Sequence, residues 1–321
     1  MASRAPAPPL ELAHRVGAIK HSENPMELYE MRGHAARDQI VSMLPTDWGF
    51  EGKRVLDFGC GAGRTLRHFL AEAEIAEFWG CDIDEASIAW LSEHLSPPIH
   101  AFRTEGAPPI SRPNGCFDLV YAISVFTHLT DNWSEWLLDL HRVLRDDGLL
   151  IATYMGEAMS ERLANEPWEE DRIGMNVLRA WQSWDEGGPF VLHSDWWIQA
   201  HWGRAFEIVE VVPPAKISRV MGPQSWALLR KRPGRFTAAD LESPEPAEER
   251  EVTALRHNIR QLQTEVADQR QTLRAENESL RRHIDERIGL LDRTVEGFAT
   301  STSWRITKPL RALAQKWRKR R

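Results

Sequence analysis

Cysteine is scarce: Cys60, Cys81 and Cys116 are the three in 321 residues. An odd, sparse set gives no disulfide framework and suits a reducing cytosol. Their spacing is not that of a zinc site, and no His/Cys/Asp cluster has metal-ligand spacing, so no metal ligand is assigned. No stretch approaches the roughly 18 consecutive apolar residues that span a bilayer, which excludes an integral helical membrane protein. The opening MASRAPAPPLELAHR lacks the apolar segment of a secretory signal. A cytoplasmic chain is expected. What is present is apolar material enough for a core, at 42% of residues, so a wholly disordered chain is excluded as well.

The net charge of −7 conceals an asymmetry. Residues 301–321 carry eight Lys or Arg and no acid, which leaves −15 on residues 1–300. Residues 1–23, rich in Pro and Ala, read as a flexible N-terminus. Residues 24–44 read as a helix. Strands and helices then alternate: Lys53–Phe58 (strand), Arg64–Glu74 (helix), Glu77–Cys81 (strand), Glu85–His94 (helix), Ile99–Phe102 (strand), Phe117–Ile123 (strand), Trp133–Leu144 (helix) and Leu149–Tyr154 (strand). Apolar strands alternating with helices argue for a parallel sheet covered on both faces. Residues 155–190 read as helical insertions. Phe206–Val212 and Ser225–Leu229 read as two more strands. Of 14 tryptophans, Trp168, Trp181, Trp184, Trp196, Trp197 and Trp202 fall together; most of them suit a core, with one or two lining an acceptor site.

Residues 233–250 form an acidic, Pro-containing linker. From Val252 to Val266, apolar residues step by three and four, and Leu273 and Leu280 continue at sevens, with Gln269 and Glu276 as polar members of the seam. A four-residue step to Ile284 and another to Ile288 mark a stutter, and Leu291, Val295 and Phe298 resume the pattern. Residues 251–299 therefore predict a coiled coil, and with it a homo-oligomer; a solitary charged helix is the alternative. Residues 300–321 form a basic amphipathic tail, with Ile306, Leu310, Leu313 and Trp317 on one face. Such a helix suits an anionic membrane interface. A solvated tail is the plain alternative. Nucleic acid is discounted, because the body is acidic and no nucleic-acid-binding motif is evident.

The chemistry concentrates in Val55-Leu56-Asp57-Phe58-Gly59-Cys60-Gly61-Ala62-Gly63-Arg64. A strand runs into a glycine loop and then toward a helix. A dinucleotide fingerprint wants G-x-G-x-x-G, and its third glycine would fall at Arg64. Here an acid stands two residues before the first glycine. It would repel a pyrophosphate, but it suits a ligand carrying an ammonium and a sulfonium. Glycines serving only a tight turn, and Asp57 and Asp82 acting as caps or surface acids, are the structural alternatives.

DFGCGAGR resembles motif I of class I S-adenosylmethionine-dependent methyltransferases. Asp82 in FWGCDID, the strand and loop FDLVYAISVFTHL, and LHRVLRDDGLLIATY follow in the family's order, so the resemblance spans residues 24–232. It implies an α/β, Rossmann-like methyltransferase sheet of seven strands in the order 3-2-1-4-5-7-6, followed by the C-terminal coiled coil. It implies S-adenosyl-L-methionine as cofactor, with Asp57, Gly59, Cys60, Gly61, Asp82, Ile83, Gly106, Ser124 and Tyr29 in its site; Asp82 would bind the ribose hydroxyls. Tyr29, with Gly33, either closes over the methionine end or simply packs its helix on the domain. Ile83 either packs on the adenine or belongs to the core.

His128 follows the fourth strand, at the carboxyl end of the sheet where ligands bind in open α/β folds. It is the candidate general base, or a residue orienting its loop. Tyr154 and His193 lie near the expected rim. SWRITKPLR resembles a signature, S-W-R-x-T-x-P-L-R, found after coiled coils in bacterial cell-surface polysaccharide enzymes. That resemblance implies O-methylation of a sugar in a glycan intermediate, with peripheral attachment at the inner membrane. A methyltransferase for a small molecule or lipid is one alternative. A coiled-coil scaffold with a degenerate methyltransferase domain is another. A nicotinamide-dependent oxidoreductase is a third, which Arg64 disfavours.

Overall fold

A computed structural model describes residues 5–15, 19, 22–164, 167–183 and 188–318. The short helix α1 (Leu10–Ala13) precedes α2 (Pro25–Met43), which opens on proline, a residue whose fixed φ suits a first helical turn. The sheet begins with β1 (Arg54–Phe58), β2 (Glu77–Asp82), α3 (Glu85–His94), β3 (Ile99–Arg103), β4 (Phe117–Ala122), α4 (Trp133–Val143) and β5 (Leu144–Met155). Strands β3-β2-β1-β4-β5 lie side by side, all parallel.

Both faces of this sheet are buried, and the strand residues alternate between them. Val55, Leu119, Tyr121, Leu149 and Ile151 join one core, which α2 and α3 cover. Leu56, Val120, Ala122, Leu150 and Ala152 join the other. Helix α4 covers that second face with Trp133, Trp136, Leu137, Leu140 and Val143, all buried at helical spacing. Asp84 caps α3 by accepting the Ser87 N–H.

After β5 come α5 (Glu157–Ala164), β6 (Met175–Leu178), β7 (Phe190–His193), α6 (Asp195–Ala205), β8 (Phe206–Val212) and β9 (Gln224–Lys231). The sheet forks at β5. Strand β9 runs antiparallel to it over Leu149–Met155, and β8 pairs with β9. Strand β7 meets β5 in parallel at Met155↔Leu192, and β6 pairs with β7. The expected seven strands in the order 3-2-1-4-5-7-6 are thus corrected to a forked, mixed sheet of nine strands among the described residues. Of the two added strands, MNVL comes from the segment read as helical insertions and FVLH begins at its last residue; among the described residues of that segment, α5 alone is α-helical. Four-residue strands among polar and tryptophan-rich turns leave too little period-two signal to read.

A second correction concerns Arg64–Glu74. In place of an α-helix, this stretch forms turns and two short 3-10 segments, at Leu66–His68 and Glu72–Glu74. Gly61 and Gly63 hold positive φ and so withhold the start of a right-handed helix.

Residues 233–250 lie on the body. Within them α7 (Ala238–Glu242) carries a capping box between Thr237 and Asp240 and buries Leu241 completely. His201 donates through Nδ1 to the Leu241 carbonyl (2.6 Å) and meets Glu251 through Nε2 (3.1 Å). Helix α8 (Arg250–Thr300) follows, then α9 (Thr302–Ile306) and α10 (Lys308–Arg318). The chain divides into two compact units, residues 1–262 and 263–321. In the second, the Ser301 side chain caps α9, and the Arg311 guanidinium stacks 3.5 Å over the Trp304 ring. Ile306, Leu310 and Leu313 are exposed; the side chain of Trp317, expected on the same face, and all of Trp184 lie outside the described residues. No described helix is long and apolar enough to cross a membrane.

Candidate active site

The parallel strands deliver their carboxyl ends to one edge, and the glycine loop follows β1 there. Gly59 and Cys60 both donate their N–H groups to the Cys81 carbonyl, which ties the loop to the end of β2 (2.8 and 3.0 Å). Gly59 is exposed and holds φ +81°; a Cβ there would lie 2.5 Å from Val125 Cγ2. The position therefore requires glycine twice over, for its conformation and for the close approach of the loop after β4. Cys60 turns inward, and its sulfur packs against Gly80.

Asp82 ends β2 with its carboxylate over this loop. Oδ2 accepts the Gly61 N–H (2.7 Å) and Oδ1 accepts the Asp84 N–H (2.8 Å). Burial raises its pKa, and these two N–H donors oppose the rise. Each carboxylate oxygen has two lone pairs, so a second acceptor position remains on each for hydroxyl donors. Asp57 is the more buried acid, at 4% exposure. Burial pushes its carboxyl up to about 8, while Tyr121 and then Arg64 pull it back. Arg64 is buried beside it, with its own pKa lowered by burial to about 10.

Ser124 stands at the end of β4 in the left-handed region, at φ 61°. It is held there by Thr153 Oγ1, which accepts the Ser124 N–H (2.7 Å), and by Gln224 Oε1, which accepts from Ser124 Oγ (3.0 Å). A non-glycine residue in that region carries strain that its surroundings must compensate, a pattern that clusters at functional sites. His128 follows one turn later, its N–H donating to the Val125 carbonyl (2.9 Å). Its Nδ1 lies 2.7 Å from the Pro189 carbonyl. A carbonyl only accepts, so Nδ1 bears the proton and the lone pair of the neutral ring is on Nε2. Burial lowers the His128 pKa, which favours that neutral form.

Gly59, Cys60, Gly61 and Asp82 are thus tied into one rim, with Asp57 on the strand that leads into it and Ser124 and His128 on the loop whose Val125 approaches Gly59. Ile83 follows Asp82 and is 36% exposed, at the rim and out of the core. Gly106 is open, and its carbonyl accepts from Asn132 Nδ2 (3.3 Å), a residue outside this cluster, so the structure does not bring Gly106 to the rim. Tyr29 is fully buried, and its hydroxyl has no hydrogen-bond partner among the described residues. Burial raises its pKa, and the Arg64 and Arg67 charges oppose that. Its helix lies hard against the turn after the glycine loop, where a Cβ on Gly33 would sit 2.2 Å from the Arg64 carbonyl oxygen. Tyr154 and His193 are core residues. Tyr154 donates to Asp195 Oδ1 (2.5 Å), and His193 is buried with its pKa lowered by burial to about 3. Trp196, Trp197 and Trp202 are core as well, whereas Trp181 is 56% exposed. Sequence reasoning missed Thr153, Pro189 and Gln224, which reach the site from 29, 61 and 100 residues away; no local motif marks them. A cavity of about 1070 Å³ opens elsewhere, against the outer face of α2, and none of the expected site residues lines it.

Residues 56–150 match the family model described as a methyltransferase domain. The 2-methyl-6-phytyl-1,4-hydroquinone methyltransferase of Synechocystis sp. is 28% identical over 131 residues, 40% of this chain and 40% of that protein. The phthiotriol/phenolphthiotriol dimycocerosates methyltransferase 1 of Mycobacterium ulcerans is 29% identical over 125 residues, 38% of this chain and 44% of that one. The chain thus spans less than half the length of these two relatives. Among solved structures, a putative S-adenosylmethionine-dependent methyltransferase from Listeria monocytogenes matches with a TM-score of 0.47 at 16% identity, over 62% of this chain and 98% of that one. Phosphoethanolamine N-methyltransferase 1 of Haemonchus contortus, solved with phosphoethanolamine and S-adenosylhomocysteine, matches with a TM-score of 0.47 at 20% identity, over 69% of this chain and 49% of that one.

Residues 56–150 are thus similar to a methyltransferase domain, and S-adenosylmethionine is the cofactor that this similarity supports. The residues fit that group. The glycine cradle has no room for a Cβ at Gly59, the Asp82 carboxylate keeps free acceptor positions, and a second carboxyl, Asp57, stands near a ligand that is cationic.

Proposed function

We propose that the chain transfers a methyl group from S-adenosylmethionine to a hydroxyl of its acceptor, with His128 as general base. The observation that carries the reading is the fixed tautomer of His128: Pro189 holds the proton on Nδ1 and leaves Nε2 basic at the carboxyl edge of the sheet. When bound, the cofactor supplies an electrophilic methyl on a positively charged sulfur. Asp82 holds the ribose hydroxyls, and the backbone from Gly59 to Gly61, with Ser124 and Ile83, shapes the rest of the cradle. Asp57 faces the cationic end, and Tyr29 closes the methionine side through α2. His128 takes the acceptor proton as the hydroxyl attacks, and the packed loop after β4 helps to hold the acceptor in line and to exclude water.

The acceptor we favour is a sugar of a cell-surface glycan intermediate, on the strength of SWRITKPLR and its place after α8. The exposed Ile306, Leu310 and Leu313, flanked by Lys308 and Arg311, support peripheral attachment to an anionic inner membrane. A small-molecule or lipid acceptor is the second reading, favoured by the quinol and phthiotriol named for the two relatives. Methyl transfer from labelled S-adenosylmethionine into separated lipid-linked glycan, soluble sugar and lipid fractions tests both. Label in the glycan fraction supports the first reading and label confined to lipid or soluble compounds supports the second. Cofactor binding without transfer to any fraction supports a scaffold instead. Deleting residues 300–321 is expected to move the protein from membrane to soluble fractions.

A further inference from the structure

In the second compact unit, α8 carries its apolar seam in the open. Val266 is 45% exposed and Phe298 is 67% exposed, with the seam residues between them in the same range. A continuous helix of this length, polar on its other faces, gains little from propensity alone and is stabilised by covering such a stripe. In heptad letters, position a is held by Val266, Leu273, Leu280, Ile288 and Val295. Position d is held by Gln269, Glu276, Ile284, Leu291 and Phe298.

We propose that this stretch pairs with the same stretch of a second copy of the chain, as a parallel, in-register, two-stranded coiled coil. Three features of the residues carry the orientation and the partner. First, parallel pairing in register sets Gln269 against Gln269 and Glu276 against Glu276, so polar layers meet polar layers. The antiparallel alignment that overlaps the whole seam sets Gln269 against Val295 and Glu276 against Ile288, which buries polar groups against apolar ones. Second, the flanking g and e positions complement each other across a parallel pair. Glu265 at g faces Arg270 at e five residues on, and Arg287 at g faces Asp292 at e. Such pairs select partner and direction more than they add affinity. Third, β-branched Val266, Ile288 and Val295 hold three of the five a positions and Leu291 one d position, the choice that favours two strands; Leu273 and Leu280 at a and Ile284 at d pull the other way, so the strand number rests on the sedimentation measurement below. In this arrangement both copies of the basic α10 helix leave the coil at the same end. The self-opposed Glu276 layer weakens the coil.

The experiment uses the full chain. Sedimentation velocity is expected to give the mass of two copies; one copy, or three, overturns the proposal. Leu273→Cys and Leu291→Cys, each oxidised under mild conditions, are expected to form a covalent pair with themselves, while a mixture of the two variants gives no mixed pair beyond the unsubstituted background. Mixed pairs in the absence of self-pairs mean antiparallel helices and overturn it. Arg287→Asp and Asp292→Arg are each expected to weaken association by about fivefold. The double exchange should restore it, and a double variant as weak as the singles contradicts the pairing. Glu276→Leu is expected to tighten association by tenfold or more; unchanged association contradicts the register.

Discussion

The proposed cofactor half and the proposed acceptor half of the sheet's carboxyl edge are built by different means. The cofactor half is local: Asp57 to Arg64 and Asp82 lie in two short segments whose backbones bond directly to each other. The acceptor half is assembled from a distance. Ser124 is held by Thr153 and Gln224, and His128 by Pro189, which itself sits beside the β6–β7 hairpin. Damage to the first half should therefore appear as lost cofactor affinity. Damage to the second should appear as lost turnover with the cofactor still bound.

The largest effect sharpens that division. His128→Ala is expected to lower kcat by roughly 10²–10⁴, with S-adenosylhomocysteine affinity unchanged in a direct titration. A matching loss of cofactor affinity would mean that His128 only supports the loop. Gly59→Val comes next. With positive φ and Val125 in the way, it should reduce cofactor binding below detection while circular dichroism keeps the folded signal. Asp82→Ala is expected to weaken the cofactor by tenfold or more, about 1.4 kcal/mol or above, because it removes charge-assisted bonds to the ribose. Affinity equal to that of the unsubstituted chain would remove Asp82 from the site.

The smallest effect concerns Asp57 and pH. Its carboxyl titrates at about 8 in the folded chain, against about 3.9 when unfolded. Between those values the folded state holds the extra proton, so this group costs stability as pH rises from about 4 to 8. The ionised form is the one that favours a cationic ligand. S-adenosylmethionine affinity should rise with pH between 6 and 8, by at most about tenfold per unit. Asp57→Asn is expected to raise Tm at pH 8 and to remove this part of the pH dependence. A variant that melts lower at pH 8, or keeps the same pH profile, would show that Asp57 is held charged by its neighbours.

The two halves also differ in how much of them a linear reading can reach. DFGCGAGR and FWGCDID carry their chemistry in consecutive residues, and β1, β2, β4 and α4 stand close to where periodicity places them. The helix read at Arg64–Glu74 was lost to the backbone of Gly61 and Gly63, whose positive φ a residue count does not reveal. The β6–β7 hairpin was hidden because four-residue strands give little pattern, and β7 meets the rest of the sheet at one pair alone, Met155↔Leu192. His193 and Tyr154 lie where a rim was expected, but the aromatic side chains of α6 bury them. Segment 233–250 has the composition of a linker, yet Leu241 anchors it, and one buried leucine in an acidic run is a faint signal.

The most direct test is a calorimetric titration of the full chain with S-adenosylhomocysteine, set beside the same titration of Asp82→Ala and a titration with a nicotinamide dinucleotide. Saturable binding of one ligand per chain, weakened at least tenfold by Asp82→Ala and not matched by the dinucleotide, is the expected result. No binding, or preference for the dinucleotide, would contradict the assignment of the glycine loop on which the proposed methyl transfer depends.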